Sequence, residues 1–379
     1  MGKMTDDGSE DRQFRGEGQG KAMNAVAARR SKNYAFRCRV DDTRALLLPH
    51  RSRTIMRHLL SPVLPALLLY FAGAAHAAAT AYTAGPSDAQ ATPLAAQGPV
   101  QPTPPARALP TVCAGFNIAV YSNVDEPMKL SFGRDGALYA GRQGGDRIHR
   151  IAPGGSPVTE FGPPMVDPDA VLVDAAGVIS GVRNAVLVGG GGILAAIFQD
   201  QTSRVIFNSG FADVDDMKFD ESRRLVFSDD APQVLVSQGS PPTVLFATPS
   251  RPGSIAIDDD NRIFVALGDG TIRIYNADGS LADSAFASGL AGLDTYLAFG
   301  RGGDGFGKAL YVLSGRELLR FNKKGKATVI GSGFNIGPSS GTGFVFGPDK
   351  ALYVSDYYEN RVLKISRGNG GRGACRERP

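Results

Sequence analysis

Histidine is scarce in this chain of 379 residues: there are four, and only His149 lies beyond residue 77. A catalytic triad or a histidine-based metal centre needs partners that one imidazole cannot supply. Alternation over RIHRI puts His149 on a strand beside Arg147 and Arg150, as a surface side chain or one caught between sheets. Cysteine is scarcer still, with three residues, Cys38, Cys113 and Cys375. Excess charge of one sign is missing from most of the chain. Residues 1–77 carry 13 Lys and Arg against 7 Asp and Glu, whereas the remainder carries 28 against 30. The formal charge of +4 therefore belongs to the N-terminus, and the rest shows no nucleic-acid footprint. Long apolar runs are missing too, apart from Leu59 to Ala74. A dinucleotide-binding turn is excluded at VLVGGGGILAA (Val186 to Ala196): the third glycine position is Leu194 and no helical pattern follows.

What is present is one sentence written six times. The clearest copy is TGFVFGPDKALYVSDYYENRVLKI, Thr342 to Ile365. An apolar strand ends at an aromatic, a Gly/Asp turn follows, then a second apolar strand, a polar loop and a third strand. The same grammar occurs at 128–151, 169–190, 215–236, 253–275 and 295–315. Anchored on the last apolar residue of the first strand, the copies register at Phe132, Val173, Phe219, Ile257, Phe299 and Phe346. These anchors fall 38 to 47 residues apart. Short alternating runs at that period predict four-stranded propeller blades, so the fold class is all-β, a six-bladed β-propeller over about 112–376. The last copy supplies only three strands, at roughly 342–346, 351–355 and 361–366. FNIAVYS (Phe116 to Ser122) alternates properly and is predicted to complete that blade, closing the ring and removing its edges.

Upstream, residues 56–77 have a basic start, an apolar run and Ala75-His76-Ala77, the pattern of a secretory signal peptide. The polar, patternless 1–55 is expected to precede the true initiator, Met56. Arg29-Arg30 lies too far from the apolar run to read as a twin-arginine signal. Residues 78–111, rich in Ala, Pro, Thr and Gln, read as an extended linker. The mature chain is expected in the periplasm or outside the cell, with no membrane span after cleavage, as a monomer. Cys113 and Cys375 would then be the remaining thiols. They flank the two ends that a closed ring brings together, and in an oxidising compartment a Cys113–Cys375 disulfide is expected.

The innermost strands line a propeller's channel. Four residues before each anchor stand Met128, Asp169, Asp215, Gly253, Thr295 and Thr342. Asp169 and Asp215, with Asp216 beside the latter, are the candidate ligands for a hard cation such as Ca²⁺. Asp residues at strand ends also cap turns by accepting from amides, which is the bland reading of all three. Asp229 and Asp356 end second strands and are expected to bond the adjacent loops.

LYVSDYYENRVLKI resembles the NHL repeat, and FGPDKALYVSD is similar to the SMP-30/gluconolactonase propeller pattern. The lactonase branch implies a divalent metal held by a Glu in blade one, an Asn in a middle blade and an Asp in a later one. The positions here read Met128, Gly253 and Thr295. The six-bladed quinone-dependent sugar dehydrogenases imply a channel histidine, whereas His149 falls on a third strand. The chain is therefore expected to be a binding module for a ligand, glycan or protein. The alternative is a divalent-metal-dependent, lactonase-like hydrolase using Asp169 and Asp215.

Overall fold

The second strand of each copy opens on an unbroken apolar run, and the structure shows why. In the computed structural model, which describes residues 108–302, 306–336, 342–368 and 375–378, strands Ala185–Gly190, Ile263–Leu267, Leu310–Ser314 and Leu352–Asp356 are buried at every position. Each lies inside a sheet covered on both faces by neighbouring sheets, so alternation has no wet face to serve. Outermost strands do have one: Leu281–Ala287 is exposed over its first five residues.

Six antiparallel sheets follow one another along the chain. Their innermost strands are Pro127–Phe132, Ala170–Asp174, Asp216–Phe219, Pro252–Ile257, Thr295–Phe299 and Phe344–Phe346, numbered here as blades one to six. Each neighbouring pair of blades shares an apolar cluster, including blade six with blade one, where Tyr353 and Val362 meet Leu130 and Leu138. The ring is thus held by sheet-to-sheet burial all the way round, the term that dominates folding energetics.

The seam lies where the repeat arithmetic expects it. Phe116–Asn123 pairs antiparallel with Arg361–Arg367 as the outer strand of blade six. The chain ends also do something the repeats do not reveal. Thr111–Val112 adds a fifth strand to blade five, pairing with Ser332 and Gly331. From the other terminus, the Val329 amide donates to the Arg376 carbonyl (2.8 Å) and the Arg378 amide to the Ala327 carbonyl (3.1 Å). Both ends therefore cover the open edge of blade five, an edge that would otherwise offer unpaired backbone to another chain. A disulfide joins Cys113 and Cys375 across that cover, with Cα atoms 5.3 Å apart and a sequence separation of 262. Residues 1–55, the expected leader at 56–77 and most of the expected linker at 78–111 lie outside the described residues, among which the first strand is Thr111–Val112. Among the described residues, no helix is long and apolar enough to cross a membrane.

Polar clasps between innermost strands set the register at the channel. Ser131 Oγ of blade one accepts from the Val173 amide of blade two (2.9 Å). Ser254 Oγ of blade four donates to Asp216 Oδ2 of blade three (2.7 Å) and accepts from the Leu297 amide of blade five (3.1 Å). These bonds link equivalent heights on successive strands. All six innermost strands therefore run the same way, entering at one mouth of the channel and leaving at the other.

Candidate functional site: a channel with an acidic and a basic end

At the entry mouth the chain places Asp169 just ahead of the innermost strand of blade two. Its carbonyl accepts from the Lys129 amide (3.3 Å) and packs on Gly141, where an added Cβ would come within 1.9 Å of that oxygen. Only glycine lets the two backbones approach so closely. The carboxyl of Asp169 is half-buried, and its Oδ1 has no hydrogen-bond partner among the described residues. Burial, reinforced by the charges of Asp213, Asp167 and Asp215, pushes its pKa up to about 8. Asp213 titrates high for the same leading reason. Four carboxylates thus crowd one mouth.

Asp215 belongs to this mouth but is already matched. Arg251 Nη2 donates to Asp215 Oδ1 at 2.8 Å and also contacts Asp230. Arg251 arrives on the loop entering blade four, and its guanidinium lies where two carboxylates of blade three converge. A hard cation needs about six oxygen ligands, with several carboxylates turned towards it. Here an arginine fork spans the carboxylates, and among the described residues no group of three or more His, Cys, Asp or Glu could hold a metal ion. The residues do not fit a resident divalent cation.

Asp216, adjacent in sequence, turns away from that group. Its Oδ2 accepts from Ser254 Oγ and the Ile255 amide (3.1 Å), and its Oδ1 from the Met217 amide (2.9 Å) and Lys218 Nζ (2.5 Å). Lys218 and Lys129 hold it ionised against the opposing effect of burial. It clasps blades three and four. Asp229 and Asp356 do bond loops, and the loops are those entering the innermost strand of their own blade. Asp229 accepts from the Ala212 and Asp213 amides (2.9 and 3.0 Å), thereby fixing the acidic mouth, and Asp356 accepts from the Asn335 amide (2.9 Å) and Arg361 Nε (2.7 Å). His149 is buried on the third strand of blade one, where burial lowers its pKa, and it does not line the channel.

Sequence reasoning missed Lys129, Arg251 and Tyr296. Lys129 is only 5% exposed. Its Nζ donates to the Thr342 carbonyl (3.2 Å) and sits 4.4 Å from the centroid of the Tyr296 ring. Burial lowers its pKa, and Asp216, Asp215 and Asp169 oppose that shift. A lysine inside the apolar strand MKLSF was the available signal.

Beyond Lys129, towards the exit mouth, the channel opens into a cavity of about 490 Å³ lined by the innermost strand of every blade. Its walls include Leu130, Val173, Met217, Leu297 and Phe344, and its mouth is ringed by Phe132, Phe299 and Phe346. Its charged lining is Lys129, Arg134, Lys218 and Arg301 against Asp216 alone. The two ends of the channel are of opposite sign.

Solved structures share this architecture. A gluconolactonase from Xanthomonas campestris aligns over 68% of this chain and 91% of its own, with 15% identity and a TM-score of 0.55. The chain has the six-bladed fold of gluconolactonase. The PQQ-bound aldose sugar dehydrogenase of Streptomyces coelicolor shares the fold too, over 68% of this chain and 99% of its own, at 13% identity and a TM-score of 0.50. No family model and no curated protein sequence matches this chain. At such identities the likeness carries the propeller scaffold and leaves chemistry to the residues at the channel.

Proposed function

We propose that this protein is an exported, gluconolactonase-like propeller that acts as a binding module. One observation carries the reading. Of the candidate cation ligands, Asp215 is already ion-paired to Arg251, which also holds Asp230, and Asp216 is bonded to Ser254 and Lys218, while the opposite end keeps an open cavity lined more by apolar than by polar surface. Cavities of roughly 300–1,000 Å³ with a few placed polar groups are the usual form of small-molecule sites. Export is supported by the leader-like segment at 56–77 and by the Cys113–Cys375 bond, which suits an oxidising compartment.

A second reading, a metal-dependent lactonase-like hydrolase, has one observation in its favour. Asp169 keeps an unpartnered, buried carboxyl oxygen beside Asp213. The discriminating experiment is metal analysis of the purified mature chain, followed by assay of a lactone panel with and without added Ca²⁺ and Zn²⁺. The binding reading expects no stoichiometric metal and no turnover. Metal-dependent lactone hydrolysis abolished by Asp169→Asn would replace it with the hydrolase. N-terminal sequencing of the exported chain tests the leader; a mature N-terminus ahead of Met56 would sink that part.

A further inference from the structure

The exit end of the channel is built differently from the acidic entry mouth. There the innermost strands of all six blades line an open-mouthed cavity, more apolar than polar, and the second residues past two of those strands are arginines. Arg134 follows Phe132 by two positions, and Arg301 follows Phe299 by two. Both are exposed, and neither carries an ion pair among the described residues. Lys218 lies between this collar and the interior, already bonded to Asp216. The cavity thus offers a part-open, predominantly apolar channel end with two guanidinium groups at its rim that form no ion pair among the described residues, and no carboxylate beside them in the lining.

We infer that the exit-end cavity binds a single-chain anionic amphiphile, its acyl tail in the channel and its carboxylate head on the Arg134/Arg301 collar. The inference rests on the binding reading above and names its ligand class. Three features select it. The walls are hydrocarbon and aromatic, so an apolar tail leaves water at roughly 25 cal/mol per Å² buried. Guanidinium forks match planar carboxylates in a bidentate manner and keep their charge at every working pH. The lining carries four cations against one carboxylate, so an anion is drawn in and a cationic amphiphile is turned away.

The test is isothermal titration of the mature chain with decanoate, alongside decanol (tail only) and acetate (head only). Decanoate is expected to bind well above either control. Arg134→Glu/Arg301→Glu is expected to weaken decanoate by about tenfold or more while leaving decanol unchanged, since charge-assisted bonds of this kind contribute about 1.5–3 kcal/mol each. Ala298→Phe/Val345→Phe, which narrows the channel at two lining positions of intermediate burial, is expected to abolish binding of both. Thermal melts confirm that each variant folds. Equal affinity for decanoate and decanol would overturn the inference, as would decanoate binding indifferent to both variants. A third overturning result is sedimentation with phosphatidylglycerol vesicles that decanoate does not compete, because the collar would then be reading a membrane surface. Failure here with no lactone turnover leaves the binding reading intact. Metal-dependent turnover with decanoate still bound removes that reading alone.

Discussion

Replacing Asp169 with asparagine isolates the electrostatic strain of the entry mouth. The wild-type carboxyl has an ordinary unfolded pKa of 3.8 and a folded pKa of about 8, raised first by burial and then by Asp213, Asp167 and Asp215. A group whose folded pKa lies above its unfolded value stabilises the fold relative to higher pH. That stability is present in full below about pH 4 and is lost as pH climbs through about 8. Four units at about 1.36 kcal/mol each set a ceiling near 5 kcal/mol. The carboxyl is only half-buried and water screens it, so a loss of about 2 kcal/mol between pH 5 and 9 is expected. Asparagine keeps the shape and removes the proton equilibrium. Asp169→Asn should therefore unfold later than wild type at pH 9, by about 4–8 °C for a domain of this size, and converge with it at about pH 4. Differential scanning calorimetry at both pH values reads this directly. Parallel pH curves for the two proteins would refute the buried, like-charged mouth on which the argument stands.

Removing the guanidinium tests whether Arg251 stands in for a cation. Arg251→Gln should lower stability by about 1–2 kcal/mol, since its partner Asp215 is buried but Arg251 itself is a third exposed. In about 10 mM calcium, well above the weak extracellular range, the variant should regain melting temperature while wild type does not respond. Ser254→Ala removes two bonds that link blades three, four and five. It should cost about 2–4 kcal/mol in urea unfolding by leaving the Leu297 amide and Asp216 short of partners. Cys113→Ser/Cys375→Ser should cost up to about 5 kcal/mol for so long a loop. A melting temperature unchanged by reductant would contradict that.

The ring, its blade count and its seam were legible because each is a consequence of period and alternation. A four-stranded sheet cannot bury its faces alone, so six near-copies of one strand grammar imply stacking. A last copy one strand short implies a donor such as Phe116–Asn123. The fifth strand at Thr111–Val112 was not legible, because two residues carry no alternation. Of the acidic candidates, the sequence placed Asp169 and Asp215 at one height, and both do share the entry mouth. It could not show that Asp216 turns to Ser254, since neighbours on a strand face opposite ways and a short entry loop leaves the register open. Arg251 was hidden for another reason. It sits on a loop, where no period assigns a facing side chain, and its partners Asp215 and Asp230 come from a different blade.

The opposite signs of the two mouths follow from which loop and turn charges face the channel. Loops entering the innermost strands carry Asp167, Asp169, Asp213 and Asp215. The turns leaving them carry acids too, but Asp135, Asp220, Asp258 and Asp349 are paired with Arg150, Arg224, Arg262 and Lys364, and the charged exit-turn residues that line the cavity are Arg134 and Arg301. Arg251 and the raised pKa of Asp169 then discharge much of the acidic end, by pairing and by protonation respectively. Nothing equivalent discharges the basic end, where Lys218 alone is paired with a lining carboxylate. An anion entering from solvent therefore meets an attractive field at the exit mouth and a largely neutralised one at the entry mouth. That asymmetry should show itself in binding that weakens as salt rises through the range where the Debye length falls from about 30 Å to about 10 Å.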